Sequence, residues 1–274
     1  QPIETARSLG LVTDWKTYVP PRPKQLGVVA LPNYPLEKLV PYIDWTPFFL
    51  TWELAGQFPA ILDDPRQGEA ARTLFADACK MLDQIVEEGW LRANGVVGFF
   101  AANSEGDDII IYTDATRREV LMRLPFLRQQ MVKARGRHNY CLADFVAPAD
   151  SGVADYVGAF AVTAGLGMEP KRAEFLAHKD DYSDIMFAAL ADRLAEGFAE
   201  RLHERVRREL WAYAPDEALS NEDLIAGRYS GIRPAPGYPA CPDHSLKPML
   251  FNLMKVETAA RIQLTESLAM LPAA

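Results

Sequence analysis

Five β-rich runs crowd into residues 95–165, and their spacing limits the folds open to the chain. They are GVVGFFAAN (95–103), DIIIYTD (108–114), EVLMRL (119–124), YCLADFVA (140–147) and DYVGAFAVTAG (155–165). The first two flank a Gly-containing SEGD loop and read as a hairpin. Parallel neighbours need a crossover of about a dozen residues or more, so strands this close favour antiparallel pairing. Helical patterns lie on both sides of the block. The order helices, strands, helices predicts an α+β fold rather than alternating βαβ units.

The first helical pattern spans Gly68–Glu88, where Ala71, Leu74, Phe75, Ala78, Leu82, Ile85 and Val86 recur at spacings of three and four. Gly89 is its expected stop. The strongest runs from about Ser183 to Trp211, with Met186, Leu190, Leu194, Phe198, Leu202, Val206 and Leu210 at every fourth residue. That spacing is a slowly drifting apolar stripe. A polar helix start at SNEDLI (220–225) precedes an irregular Pro/Gly segment and a last helix from about Leu246 to Ala260. The first 40 residues lack periodicity and carry Pro20, Pro21, Pro23, Pro32 and Pro35. They read as a semi-rigid arm or linker, which leaves 41–274 as the folded domain.

Composition narrows the function. The chain has 274 residues, with 37 Asp+Glu against 29 Lys+Arg and a net charge of −8. That length supports a sizeable core. The acidic balance argues against nucleic-acid binding, which needs a basic surface. Cys79, Cys141 and Cys241 are too scattered for a disulfide framework or a paired-cysteine metal site. Apolar runs such as Val96–Ala102 are far below the ~18 residues of a membrane span. A cytoplasmic setting is expected. With Gln1 at its start and no signal segment, the sequence reads as a piece of a longer chain.

Common catalytic signatures are absent: there is no Walker loop, HExxH or GxSxG. Gly165-Leu166-Gly167 reads as a turn, and His138, His178, His203 and His244 are spaced for surface or capping roles rather than for a metal. Three places stand out. In YIDWTPFF (42–49), Asp44 sits among aromatic and aliphatic neighbours and needs a donor or cation; a cap on a short helix with Pro47 in its first turn is the simpler alternative. In GIRPAPGYPACPDH (231–244), prolines stiffen a loop that offers Arg233, a planar fork for a carboxylate, and Tyr238, an aromatic face; a core-crossing connector has the same look. Asp192, Glu196, Glu200 and Glu204 recur every fourth residue on the long helix. Either this is a solvated face paired with nearby arginines, or one or two of the acids face a cationic ligand or a partner domain.

These segments, with GVVGFF, GDDIIIY, LRQQ, YCLADFVAP, SGVADYVGAFAV, DDYSDIM, ALADRLAE, ERLHERVRRELW and LTESLAM, run in order along nearly the whole chain. Together they resemble the C-terminal activation domain of cobalamin-dependent methionine synthase. The resemblance implies a single C-shaped α+β domain, a twisted antiparallel sheet packed with helices, among them the long helix near 183–211. It implies binding of S-adenosylmethionine and presentation of its methyl group to cob(I)alamin held by a neighbouring domain. In that family this step follows reduction of the oxidised cofactor by flavodoxin or a flavodoxin-like reductase, in the service of methionine biosynthesis. The implied partners are thus the cobalamin-binding domain and the reductant, with neither nucleic acid nor membrane. No catalytic acid or base is expected, and the fragment alone is not expected to turn over.

Carried residue by residue, the resemblance puts Asp44 on the ligand's α-amino group and Arg233 on its α-carboxylate. Ala235 offers its backbone to the adenine, and Tyr238, after Gly237 of the same motif, lies by the ligand near the corrin. Glu196 faces the sulfonium. Asp192 matches one of two acids that engage a histidine released from cobalt; the second aligns at Met168, next to Glu169. The family runs several dozen residues beyond LTESxAM, through an aromatic segment bordering the ligand; if the protein itself lacks that segment, the resemblance implies a cleft short of one wall and a lower affinity. The other reading is an interaction module that caps the corrinoid domain and docks the reductant with a degraded ligand site.

Overall fold

Strand β2 (Arg92–Glu105) is the spine of the computed structural model, which describes residues 1–239 and 241–272. Along Arg92–Ala102 one edge pairs with β5 (Asp155–Leu166). The other edge is shared: β1 (Gly27–Tyr34) takes Ala93–Phe99 and β3 (Asp108–Tyr112) takes Ala102–Glu105. Strand β4 (Val120–Pro125) pairs with β3, and every pairing is antiparallel.

Residues 93–104 are all buried, so β2 is covered on both faces. The two-residue period of a strand sends Val97 and Phe99 to one face and Val96, Phe100 and Ala102 to the other. The first face carries α2 (Thr46–Thr51), α3 (Gly68–Glu88) and α5 (Asp181–Arg205). The second carries α7 (Leu246–Met254) and α8 (Val256–Ala260). Smaller elements complete the chain: α1 (Ile3–Ser8), α4 (Met168–Ala177), α6 (Asn221–Ile225) and a hairpin of β6 (Gln263–Leu264) and β7 (Met270–Leu271). No helix among the described residues is long and apolar enough to cross a membrane.

The expected α+β architecture with antiparallel strands is present. Helix α3 has its expected bounds, with Gly89 at φ 65 in the left-handed conformation that ends helices. Helix α5 begins at Asp181, where Asp180 accepts the Ser183 amide at 3.0 Å, and buries the stripe from Met186 to Leu202. Fully burying each such Leu or Phe contributes ~1.5–3 kcal/mol. The helix continues into a π turn over Val206–Leu210, so it runs from residue 181 to residue 210.

Four features differ from the expected pattern. Residues 27–34 of the supposed arm form β1, and Leu36 and Leu39 join the core, so residue 40 marks no structural break. The strand is hidden in the sequence because Pro32 and Asn33 (φ 48) interrupt it, in an irregularity between Leu31 and Tyr34. Edges and bulges are where a sheet tolerates proline. The run 140–147 is not a strand: Leu142–Phe145 form a 3₁₀ turn, because Asp144 accepts the Cys141 amide at 3.0 Å and is clasped by Arg128 at 2.6 and 2.8 Å. A side chain that bonds its own backbone competes with ladder formation. The last helix is split at Lys255, which has φ 54. His203, expected on the surface or at a cap, is buried.

Candidate functional site

The middle of α5 approaches the turn before α2 unusually closely. A Cβ on Gly197 would lie 3.0 Å from the Leu39 carbonyl oxygen and 3.6 Å from the Ile43 nitrogen. The missing side chain therefore lets the 39–43 backbone seat directly on α5, one residue ahead of Asp44. Asn221, at the start of α6, fastens the same turn by donating to the Ile43 carbonyl at 3.3 Å. Half-buried Asp44 accepts the Thr46 amide at 3.0 Å through Oδ1. Trp45 holds the N-cap position without a side-chain bond, and Pro47 sits in the first turn. Asp44 thus lies one residue before the cap, where its bond to the amide two residues on forms an Asx turn with one oxygen; Oδ2 takes no hydrogen bond among the described residues.

The 231–244 loop comes down on α5 one turn further along. Arg233 donates from Nη2 to Glu200 Oε1. Its Nη1 is buried without a hydrogen-bond partner, and so is Glu200 Oε2. Beyond Pro234 the loop closes on itself. Tyr238 N–H donates to the Ala235 carbonyl at 3.2 Å, and Gly237 N–H donates to the Cys241 carbonyl at 2.8 Å. Gly237 has φ +104, and a Cβ there would come within 2.7 Å of the His244 imidazole, so the position demands glycine. Gln129 holds this limb by donating to the Pro239 carbonyl at 3.0 Å. Tyr238 presents its ring to solvent at 65% exposure. Ala240, within the loop, lies outside the described residues.

The acidic row splits in the opposite sense to a simple surface face. Asp192, paired with Arg193, and Glu196 are exposed. Glu200 and Glu204, expected to be ordinary surface charges while Asp192 and Glu196 line a cleft or docking face, are drawn inward instead. Glu204 accepts from the Tyr42 hydroxyl at 2.5 Å, from Arg201 at 2.8 Å and from Arg208 at 3.0 Å. Burial opposes its charge, yet the bonds from Tyr42, Arg208 and Arg201 hold its carboxyl below the usual range. At Glu200 burial prevails over Arg233, and the carboxyl is pushed up. Glu204 is covered from the 39–43 turn through Tyr42, and Glu200 from the 231–244 loop through Arg233.

Behind Arg233 lies a sealed polar cluster. Arg207, fully buried in the π turn, contacts Glu217 at 2.7 Å and His203 Nδ1 at 2.8 Å. The Tyr229 ring packs edge-on to His203, with centroids 4.6 Å apart, and lies 4.5 Å from the Arg207 guanidinium. Burial, helped by the charges of Arg207 and Arg233, pushes His203 down to about 3, so it stays neutral. Glu200, His203, Arg207 and Tyr42 had no separate signal in the sequence. The nearest hint was Glu200 standing one turn from Glu196, on the same face of the helix.

Of the expected site residues, the fold gathers Arg233 and Glu196 around the middle of α5 and brings Asp44 in through the turn seated on Gly197. Asp192 is one turn from Glu196 along the helix. Ala235, Gly237 and Tyr238 occupy the other limb of the loop, whose contacts run to Gln129 and His244. Met168 opens α4 after Gly167, with Glu169 in the first turn. The donor set suits a zwitterionic amino acid: one buried guanidinium N–H group without a partner and one half-buried carboxylate. Among the described residues no cluster of His, Cys, Asp and Glu is arranged to hold a metal ion.

Known proteins share this fold. Residues 35–274 match the family model for the vitamin B12 dependent methionine synthase activation domain. A solved structure, the crystal structure of the MetH reactivation domain bound to AdoHcy, superposes with a TM-score of 0.95 at 54% sequence identity. The match covers 99% of this chain and 83% of that one. On a family match that spans most of its length, the chain belongs to the vitamin B12 dependent methionine synthase activation domain family.

Proposed function

We propose that this domain binds S-adenosylmethionine beside the middle of α5 and presents its methyl group to a corrinoid carried by a neighbouring domain of the same enzyme. The observation that carries this reading is the buried Nη1 of Arg233, a guanidinium donor without a partner in a loop stiffened by Pro234 and Pro236. Arg233 takes the α-carboxylate and Asp44 the α-ammonium, so both ends of the zwitterion are anchored. Glu196, exposed on α5, stabilises the sulfonium on binding. Methyl transfer dissipates that positive charge, so Glu196 contributes to affinity rather than to rate. The Ala235 backbone and the Tyr238 ring border the nucleoside, and Gly237 permits the turn between them. Asp192 couples the domain to the corrinoid-bearing partner.

The corrinoid, when a partner domain supplies it, brings the nucleophilic metal centre, and a flavodoxin-type protein brings the electron. What remains for this chain is to hold the methyl carbon in line, a proximity and orientation effect that needs no acid or base. The test mixes the domain with the corrinoid domain in its oxidised form, a reduced flavodoxin and methyl-labelled S-adenosylmethionine. We expect label on the corrinoid only when the domain is present, and none with Arg233→Ala. Docking of both partners without S-adenosylmethionine binding would instead support an interaction module with a degraded site.

A further inference from the structure

We propose that Glu200 is a positioning residue for ligand recognition: its carboxylate holds the Arg233 guanidinium so that Nη1 is left to the α-carboxylate of the ligand. The inference rests on the reading of Arg233 given above and adds a residue to it. Arg233 lies in a stretch without regular secondary structure, on a long stem with many rotamers. Glu200 rides on α5, whose position is set by the core stripe and by the seat at Gly197. Their contact is single-point: Nη2 meets Oε1, while Nη1 and Oε2 are buried without hydrogen-bond partners. A structural ion pair that served only stability would be expected to close the second bond of the guanidinium fork. Here one donor face is left over, turned away from solvent, where a carboxylate would complete it.

The surroundings keep Glu200 for this task. Arg207, the other cation acting on Glu200, is already paired with Glu217. His203 stays neutral and adds no competing positive charge. A guanidinium held in place before binding loses less side-chain freedom when the ligand arrives.

The test uses two probes on the full 274-residue chain. S-adenosylhomocysteine carries the amino-acid end, and 5′-methylthioadenosine is the same nucleoside thioether without it. We expect Glu200→Ala to weaken S-adenosylhomocysteine by about tenfold or more while 5′-methylthioadenosine stays within about twofold. Glu200→Gln keeps an oxygen acceptor for Nη2 and should fall between wild type and Ala, and it serves alone if the Ala variant does not fold. Unchanged or tighter S-adenosylhomocysteine binding in the variants overturns the proposal, as does an equal loss for both probes, which marks a structural pin. Arg233→Ala separates the two levels. If it binds S-adenosylhomocysteine normally, the ligand assignment itself fails. If it loses binding while the Glu200 variants keep it, only the positioning role fails.

Discussion

Arg207 is the largest fully buried side chain, and it is charged. A buried cation is tolerable only when paired and hydrogen-bonded, and Glu217 and His203 supply this. Breaking such a pair leaves an uncompensated charge, so we expect Glu217→Ala to cost ~3–5 kcal/mol in a urea melt. A loss under ~1 kcal/mol would show the pair to be dispensable. His203 gives a pH signature. Its folded value of about 3 lies below the ordinary value of ~6.5, so below that pH the unfolded chain binds more protons than the folded one. Stability should therefore fall as the pH drops from ~6.5 toward 3, by up to ~1.4 kcal/mol per pH unit from this group. Between pH 6 and 5, where few carboxylates titrate, His203→Gln should flatten the decline in melting temperature. An unaltered slope would mean that another group is responsible. None of this cluster was legible in the sequence. A histidine and an arginine four apart on a charged helix look solvated, and only the fold shows which turn faces inward.

Helix α5 shows both what periodicity reveals and what it hides. The apolar residues at every fourth position placed the helix to within two residues, because burying that stripe dominates its energetics. The charged residues between them carry no comparable signal. Glu200 and Glu204 share spacing and chemistry with Asp192 and Glu196, and differ only in what packs over them. The 39–43 turn, seated on Gly197, reaches Glu204 through Tyr42, and the proline loop reaches Glu200 through Arg233. Gly197→Ala would push a methyl group to 3.0 Å from the Leu39 carbonyl. Overpacking of this kind costs ~1–3 kcal/mol, and the 39–43 turn should lift away and carry Asp44 with it. We expect a lower melting temperature together with weaker S-adenosylmethionine binding. A stable variant with normal affinity would show that the close seat is not needed. The proline loop was legible as a candidate site from composition, since four prolines and two glycines in 231–244 leave few regular structures open. The partner of its arginine was not.

At the scale of the molecule, the fold followed from the strand block because short connections and antiparallel pairing admit few alternatives. Strand β1 escaped notice for the reason that makes it an edge strand: Pro32 and Asn33 break the alternation that identifies strands. The run 140–147 misled in the other direction, its apolar residues masking the local bonds of Asp144. Likewise Asp44 was readable as a helix cap, but Trp45 holds that position and Asp44 stands one residue before it, a shift that spacing alone does not reveal. The central claim is that the ligand's amino-acid end is read by Arg233. Its most direct test is calorimetric titration of the chain with S-adenosylmethionine, beside Arg233→Ala and Arg233→Lys proteins checked by far-UV spectra. We expect saturable binding to the unaltered chain and weaker binding to the Lys variant, which cannot make two parallel bonds. For the Ala variant we expect a loss of ~2–5 kcal/mol, about thirtyfold to several thousandfold, with unchanged spectra. Near-normal affinity in a well-folded Arg233→Ala protein would contradict the assignment.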